Sequence, residues 1–160
     1  MIQQRYENLR PSHVYSAVVG RVVDGDTLDL TLDLGFSIYH HARVRLAGID
    51  TPESRTRRLK EKALGLAAKA RLKELVKSAA PIGRHRKKVV YIQTSLDGKG
   101  KFGRILGSLW INNQCVNDML QAEGHARPYS GGGKDALGPW TKRQGGIWVR
   151  WTASGYVPYE

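Results

Sequence analysis

Arg45-Leu46-Ala47-Gly48-Ile49-Asp50-Thr51-Pro52-Glu53 brings a fixed cation, a hard oxygen ligand and a candidate general base into one short run. Chemistry on a phosphate needs all three. Arg45 closes a segment in which Phe36, Ile38, His40, Ala42, Val44 and Leu46 alternate with Ser37, Tyr39, His41, Arg43 and Arg45, the period of a half-buried strand. On such a strand the Arg45 guanidinium points away from the face that carries Val44 and Leu46. Beyond Gly48 the strand has to stop. Pro52 has no amide hydrogen and pushes Thr51 toward an extended conformation, so residues 50–53 are expected to form a rigid loop in which two carboxylates and a main-chain carbonyl lie close together.

Upstream, residues 14–23 are rich in valine and read as a strand buried in places on both faces. Asp24-Gly25-Asp26 follows, and its Asp-Gly pair is a strong hairpin signal. Leu28, Leu30, Leu32 and Leu34 then alternate with Asp29, Thr31 and Asp33 as a second strand before Gly35 turns the chain into the third, so that three antiparallel strands make a meander. Downstream the period changes. Leu59, Ala63, Leu66, Ala67, Ala70, Glu74 and Leu75 fall at helical spacing between residues 56 and 79, with Ser54 or Thr56 as a cap and Pro81 with Gly83 as the stop. A basic loop, Arg84-His85-Arg86-Lys87-Lys88, leads to a fourth strand over residues 89–96. The Gly-rich connection 97–104 delivers Arg104 to the base of a fifth strand, residues 105–111, and Asn112-Asn113 turns the chain again. Asn117 is placed to cap a short helix over residues 118–123 that stops at Gly124. The pattern predicts an α+β chain, a small β-barrel with helices.

At 160 residues the chain is most simply one folded unit, divided here into an arm at 1–13, a domain at 14–129 and a tail at 130–160. Its 26 Lys and Arg against 14 Asp and Glu give a formal charge of +12, which favours a polyanionic partner, although scattered surface lysines give the same balance. Cys115 is the only cysteine, so neither an internal disulfide nor a Cys-rich zinc site can form. The first 13 residues carry charges and glutamines in place of an apolar signal core, and no apolar run approaches membrane-spanning length. An intracellular, soluble protein without membrane partners is expected; a virus or mobile element acting inside a cell would encode the same composition. The spacing of the five histidines fits no metal motif, and Cys115 beside Val116 is expected to be packed, not reactive.

Three constellations carry chemistry. Asp26 at the first hairpin and Asp50 beyond the third strand converge if those strands pair, and the Thr51 carbonyl adds a neutral oxygen. Together they suit a divalent cation of the calcium type, whose six to eight oxygen ligands water and phosphate would complete; the plainer role for Asp24 and Asp26 is turn formation. Arg45 and Arg104 offer planar forks that match phosphate oxygens, or are simply surface arginines at strand ends. Glu53 is a candidate general base, or a carboxylate near the start of the helix.

The run from Arg45 to Glu53 resembles the signature of the staphylococcal (thermo)nuclease family, an arginine at the end of a strand followed by an Asp-Thr-Pro-Glu turn, and Asp24-Gly25-Asp26-Thr27 precedes it at a family-like distance. The resemblance runs over residues 14–129. It implies a five-stranded Greek-key barrel of the oligonucleotide-binding (OB) type with one long and one short helix. It also implies Ca²⁺ at Asp26, Asp50 and Thr51, catalysis by Arg45, Glu53 and Arg104, and water attack in line with the 5′ oxygen to leave 3′-phosphate and 5′-hydroxyl ends. Lys101 and Phe102 stand where the family has Lys-Tyr, so Phe102 lacks a hydroxyl donor, while Tyr129 stands where a base-stacking tyrosine is expected. The expected function is a Ca²⁺-dependent nuclease of low sequence specificity acting on DNA or RNA. The alternatives are a catalytically silent OB-fold module that binds nucleic acid and a basic adaptor whose tail binds a protein partner. The family's long, charged C-terminal helix has no counterpart in the tail, where residues 134–143, broken by Gly138-Pro139, leave room for a turn or two. Gly146-Ile147-Trp148 resembles the family's closing packing element, and the tail is expected to pack on the domain or extend from it.

Overall fold

The structure, a computed structural model, describes residues 13–80, 88–99 and 104–159. Its first three strands, β1 (Val14–Asp24), β2 (Thr27–Asp33) and β3 (Tyr39–Leu46), form the expected meander. After a two-residue β4 (Ile49–Asp50) come the long helix α1 (Leu59–Lys77), β5 (Val89–Lys99), β6 (Ile105–Ile111), a short β7 (Gln114–Cys115) and the helix α2 (Val116–Ala122). The chain ends with β8 (Arg127–Pro128), a 3-10 turn (Lys134–Leu137), β9 (Thr141–Gln144), β10 (Ile147–Thr152) and β11 (Gly155–Pro158). The order β3-β2-β1-β5-β6 closes on itself because β6 also pairs with β3, in parallel. The result is a closed five-stranded mixed barrel of the OB type with two helices.

Alternation explains the core. Leu28, Leu30 and Leu32 of β2, Val44 and Leu46 of β3, Val90 and Ile92 of β5, and Leu109 and Ile111 of β6 all point into the barrel. Leu72 and Leu75 of α1 and Val116 and Leu120 of α2 pack onto the same cluster. The barrel shuts tightly at Gly107, where an added Cβ would lie 2.9 Å from the Gln93 carbonyl oxygen.

The expected alternation is cut short at both ends of the second hairpin. Gly35, Phe36 and Ser37 have φ of 83°, 54° and 62°, so they form a left-handed loop and β3 starts only at Tyr39. Leu34 is exposed and Phe36 projects 98% exposed from the tip. The Asp-Gly hairpin is present with Asp24 paired to Thr27, but Gly25 is not left-handed. Crowding requires it: an added Cβ would meet the Ala68 Cβ at 2.8 Å and the Thr51 Oγ1 at 3.0 Å.

Helix α1 has a different phase from the expected one. Glu61, Gly65, Ala68, Leu72 and Leu75 are buried, whereas Leu59 and Leu66 are exposed. The apolar stripe misled because the first half of the buried face is made of small residues and one carboxylate. Neither Ser54 nor Thr56 caps the helix. Arg58 occupies the N-cap position without a side-chain bond, and the Thr56 Oγ1 accepts a hydrogen bond from the Arg58 amide at 3.2 Å. Asn117 is likewise no cap, since α2 starts at Val116. Its side chain is buried, accepts from the Leu109 amide at 3.0 Å and donates to the Ala47 carbonyl at 2.9 Å, which joins β6 to the chain leaving β3. The arm up to residue 12, the Pro81-Gly83 stop and most of the basic loop lie outside the described residues.

The tail forms a three-stranded antiparallel sheet, β11-β10-β9. Gln144 pairs with Ile147 around Gly145 and Gly146, both at positive φ, the conformation that a two-residue hairpin favours. Gly146-Ile147-Trp148 therefore opens a strand of a hairpin. Among the described residues, no helix is long and apolar enough to cross a membrane.

The two helices are tied together by Arg71, which bonds both oxygens of Glu123 at 2.8 Å. That contact holds the Glu123 carboxyl below its ordinary value. A carboxyl lowered by folding stabilises the protein above the unfolded-state value, and the benefit is lost as pH falls through the lower folded-state value. Glu123→Gln is therefore expected to unfold at lower denaturant than wild type at neutral pH. The gap should close as the pH is taken down from the ordinary carboxyl value of 4.5 through the lower folded-state value; a gap that persists in acid, in urea titrations of both proteins, rejects the ion pair as its source.

Candidate active site

Antiparallel β2 and β3 set Thr27 opposite Arg45, which brings the hairpin carboxylate of Asp26 to the guanidinium. Asp26 Oδ2 accepts from Arg45 Nη1 at 2.8 Å and from the Thr51 amide at 3.2 Å, while Oδ1 accepts from the Thr27 hydroxyl at 2.9 Å. Arg45 Nη2 donates to the Ile49 carbonyl at 3.2 Å and lies 3.8 Å from Asp50 Oδ1. Arg45, Asp26, Asp50 and Thr51 are all buried, so this is a polar core in which each charge depends on its neighbours.

The parallel pairing of β3 with β6 sets Val44 opposite Ile105, and Arg104 is thereby delivered to the barrel mouth that holds Arg45. Asp26, Arg45, Glu53, Arg104 and Tyr129 line one cleft of about 910 Å³. Tyr129 is fixed by its amide, which donates to the Gly48 carbonyl at 2.9 Å, and by its hydroxyl, which donates to the Gly132 carbonyl at 2.7 Å. Its ring centroid is 5.6 Å from the Arg45 guanidinium carbon. Arg55 joins the rim, and the far wall carries Arg43 gripping Asp29 through two bonds of 2.8 and 3.1 Å. That grip holds the Asp29 carboxyl below its ordinary value.

Not every expected residue reaches this cleft. Asp50 and Thr51 lie behind it and line a smaller pocket of about 270 Å³, with Glu53 reaching both spaces. Lys101 and Phe102 lie outside the described residues. None of the described histidines lines the cleft. Cys115 is partly buried and its thiol is raised by that burial, in keeping with a packed, unreactive group.

Among the described residues no three His, Cys, Asp or Glu side chains cluster as a ready-made metal cage. Asp26 and Asp50 nonetheless converge on a single point of positive charge, the Arg45 guanidinium. The buried Thr51 Oγ1 has no hydrogen-bond partner among the described residues. Two carboxylates and the oxygens of a threonine are hard donors, and they fit a cation of the calcium class that draws its remaining ligands from water and phosphate.

Sequence reasoning passed over two supports of this site. Arg127 is the direct cross-strand partner of Asp50 in the β4–β8 pair, and its Nε donates to Asp50 Oδ2 at 3.2 Å. Nothing in the local sequence Ala126-Arg127-Pro128 marks it, because its partner is 77 residues away. Gly65 of α1 is the other. An added Cβ there would lie 2.6 Å from the Glu53 carbonyl and 2.7 Å from that of Pro52, so the helix backbone itself braces the loop that carries Glu53. A glycine inside a helical run is the signal that was available.

A sequence profile described as staphylococcal nuclease homologue matches residues 43–137. The thermonuclease of Staphylococcus intermedius is 31% identical over 112 residues, which are 70% of this chain and 58% of that protein's own length.

The brace at Gly65 is open to test. In Gly65→Ala the new Cβ would press on backbone at 2.6 Å, and this overpacking, at the upper end of about 1–3 kcal/mol, is expected to outweigh a helix-propensity gain of roughly 1 kcal/mol and leave the variant less stable than wild type. Denaturant titration reads the sign, and a protein as stable as wild type rejects the close helix–loop contact.

Proposed function

The chain belongs to the staphylococcal nuclease homologue family, and from that premise we propose that it is a Ca²⁺-dependent nuclease that hydrolyses phosphodiester bonds of DNA or RNA with low sequence specificity. The observation that carries this reading is the convergence of Asp26, Arg45, Glu53, Arg104 and Tyr129 on one open cleft.

In this reading the guanidinium groups of Arg45 and Arg104 bind the scissile phosphate. As negative charge builds on the five-coordinate phosphorus, they stabilise the transition state more than the ground state. Glu53 takes a proton from the attacking water, and the leaving 5′ oxygen departs on the opposite side and takes up a proton from solvent water, giving 3′-phosphate and 5′-hydroxyl ends. Asp26, Asp50 and Thr51 would hold Ca²⁺, which when bound neutralises phosphate charge and polarises the phosphoryl oxygen. Tyr129 offers a ring at the rim for a base to stack on, and Lys101 and Phe102, which precede Arg104 in the sequence, are assigned to substrate binding on the family resemblance alone. Low specificity follows from contacts made to phosphate, which is the same at every nucleotide. The formal charge of +12 draws the polyanion in.

Purified protein incubated with plasmid, single-stranded DNA and RNA is expected to cleave in Ca²⁺ and to stop in excess chelator, and labelling of the product ends should find 5′-hydroxyls. Cleavage that continues in chelator rejects the cation assignment; binding without cleavage under every condition rejects the enzyme. Glu53→Gln should keep nucleic-acid affinity and lose roughly 10²- to 10⁴-fold in turnover, and unchanged turnover removes Glu53 from the mechanism. Arg104→Lys keeps the charge and loses the fork, so a fall in kcat is expected with little change in fold.

A further inference from the structure

Asp50 has a second guanidinium on the side away from the cleft. Arg127 is 3% exposed, and its Nε holds Asp50 Oδ2 at 3.2 Å while Asp50 Oδ1 faces Arg45 Nη2 at 3.8 Å. One carboxylate is thus gripped from behind, with its other oxygen presented to the site. Arg127 is in turn gripped by the tail. Its Nη1 donates to the Gly138 carbonyl at 3.0 Å, and its guanidinium carbon lies 4.3 Å from the Trp140 ring centroid and 5.7 Å from that of Trp151. The two indoles meet edge to face at 5.5 Å. The guanidinium serves the carboxylate and the carbonyl through its N–H groups while its carbon lies within cation–π distance of both indoles, a combination that an ammonium cannot reproduce.

We propose that Arg127 is a positioning residue that aims Asp50 at the cation site, and that the C-terminal sheet sets the affinity of that site by holding Arg127 against its paired indoles. The inference rests on the nuclease reading, in which Asp50 is a ligand. It goes beyond that reading because it gives the tail, which among the described residues contributes only Gly132 and Gly133 to the lining of the cleft, a part in the chemistry. Groups that orient a metal ligand from outside the coordination sphere typically change metal affinity by about 10- to 100-fold when removed.

The experiment is calorimetric titration of the full chain with Ca²⁺ and no nucleic acid, so that binding is read apart from turnover. Arg127→Lys keeps the charge beside Asp50 and loses the geometry, and about a 10-fold weaker Ca²⁺ affinity is expected, with the near-UV spectrum of a folded protein. Trp140→Leu leaves Arg127 and Asp50 intact and should weaken affinity in the same direction. The double variant should be no weaker than Arg127→Lys alone, because the indole acts through the arginine. Additive losses in the double variant, or Ca²⁺ affinity within twofold of wild type in either single variant, overturn the proposal. Should Arg127→Lys fail to fold, Trp140→Leu decides the matter by the same criterion. Asp50→Asn separates the two levels: if it abolishes Ca²⁺ binding while Arg127→Lys does not weaken it, positioning fails and the nuclease reading stands; if it leaves Ca²⁺ binding unchanged, both fall.

Discussion

A carboxylate that is 1% exposed persists in a protein interior only where positive charge and hydrogen bonds meet it on every side. Asp50 is that carboxylate, and the fold can be described by what it takes to surround it. Arg45 comes from the end of β3 and Arg127 from β8, the one reaching from the barrel and the other from the start of the C-terminal region. Arg45 must also satisfy Asp26 at the first hairpin, so the hairpin, the loop after β4 and the β4–β8 pair are held in one register by four charges. Helix α1 then presses small residues, Gly65 and Ala68, against that loop and the hairpin turn. Packing against the polar cluster explains why the helix gives up part of its apolar stripe.

Much of the barrel was legible in the sequence. The alternation of Leu28, Leu30 and Leu32, the Asp-Gly hairpin and the Asn112-Asn113 turn, whose residues both take positive φ, state their structures locally. The neighbourhood of Arg45 and Arg104 was not written in any local pattern. It depends on β6 returning parallel to β3, and only the family resemblance supplied that topology. The helix phase was misread because periodicity counts apolar residues, whereas the buried face of α1 begins with Glu61, Gly65 and Ala68. The tail sheet carried signals that were available, a Gly-Gly pair between aromatic and β-branched runs, but the comparison with the family directed attention to a missing helix. Arg127 had no local signal at all.

The C-terminal region also shows how aromatic side chains make a small sheet cohere with a basic domain. Lys60 at the start of α1 lies 5.5 Å from the Trp148 ring and 5.3 Å from the Tyr159 ring, and Lys142 lies 3.8 Å from Tyr156. In a chain with this excess of cations, ring faces give positive side chains a partner without adding carboxylates. The charge available to a polyanion is therefore not cancelled by the contacts that dock the sheet.

The parallel return of β6 has one more effect. Contacts between residues remote along the chain are slow to form, and those that shut the barrel at Gly107 need a strand that is synthesised only after the meander, the long helix and β5. A polypeptide halted before Ile105 carries Arg45 and its acidic neighbours without the strand that pairs with β3 to close the barrel. Synthesis alone thus withholds the wall that carries Arg104 until the meander, the long helix and β5 are complete, and the arginine that grips Asp50 from behind follows later still.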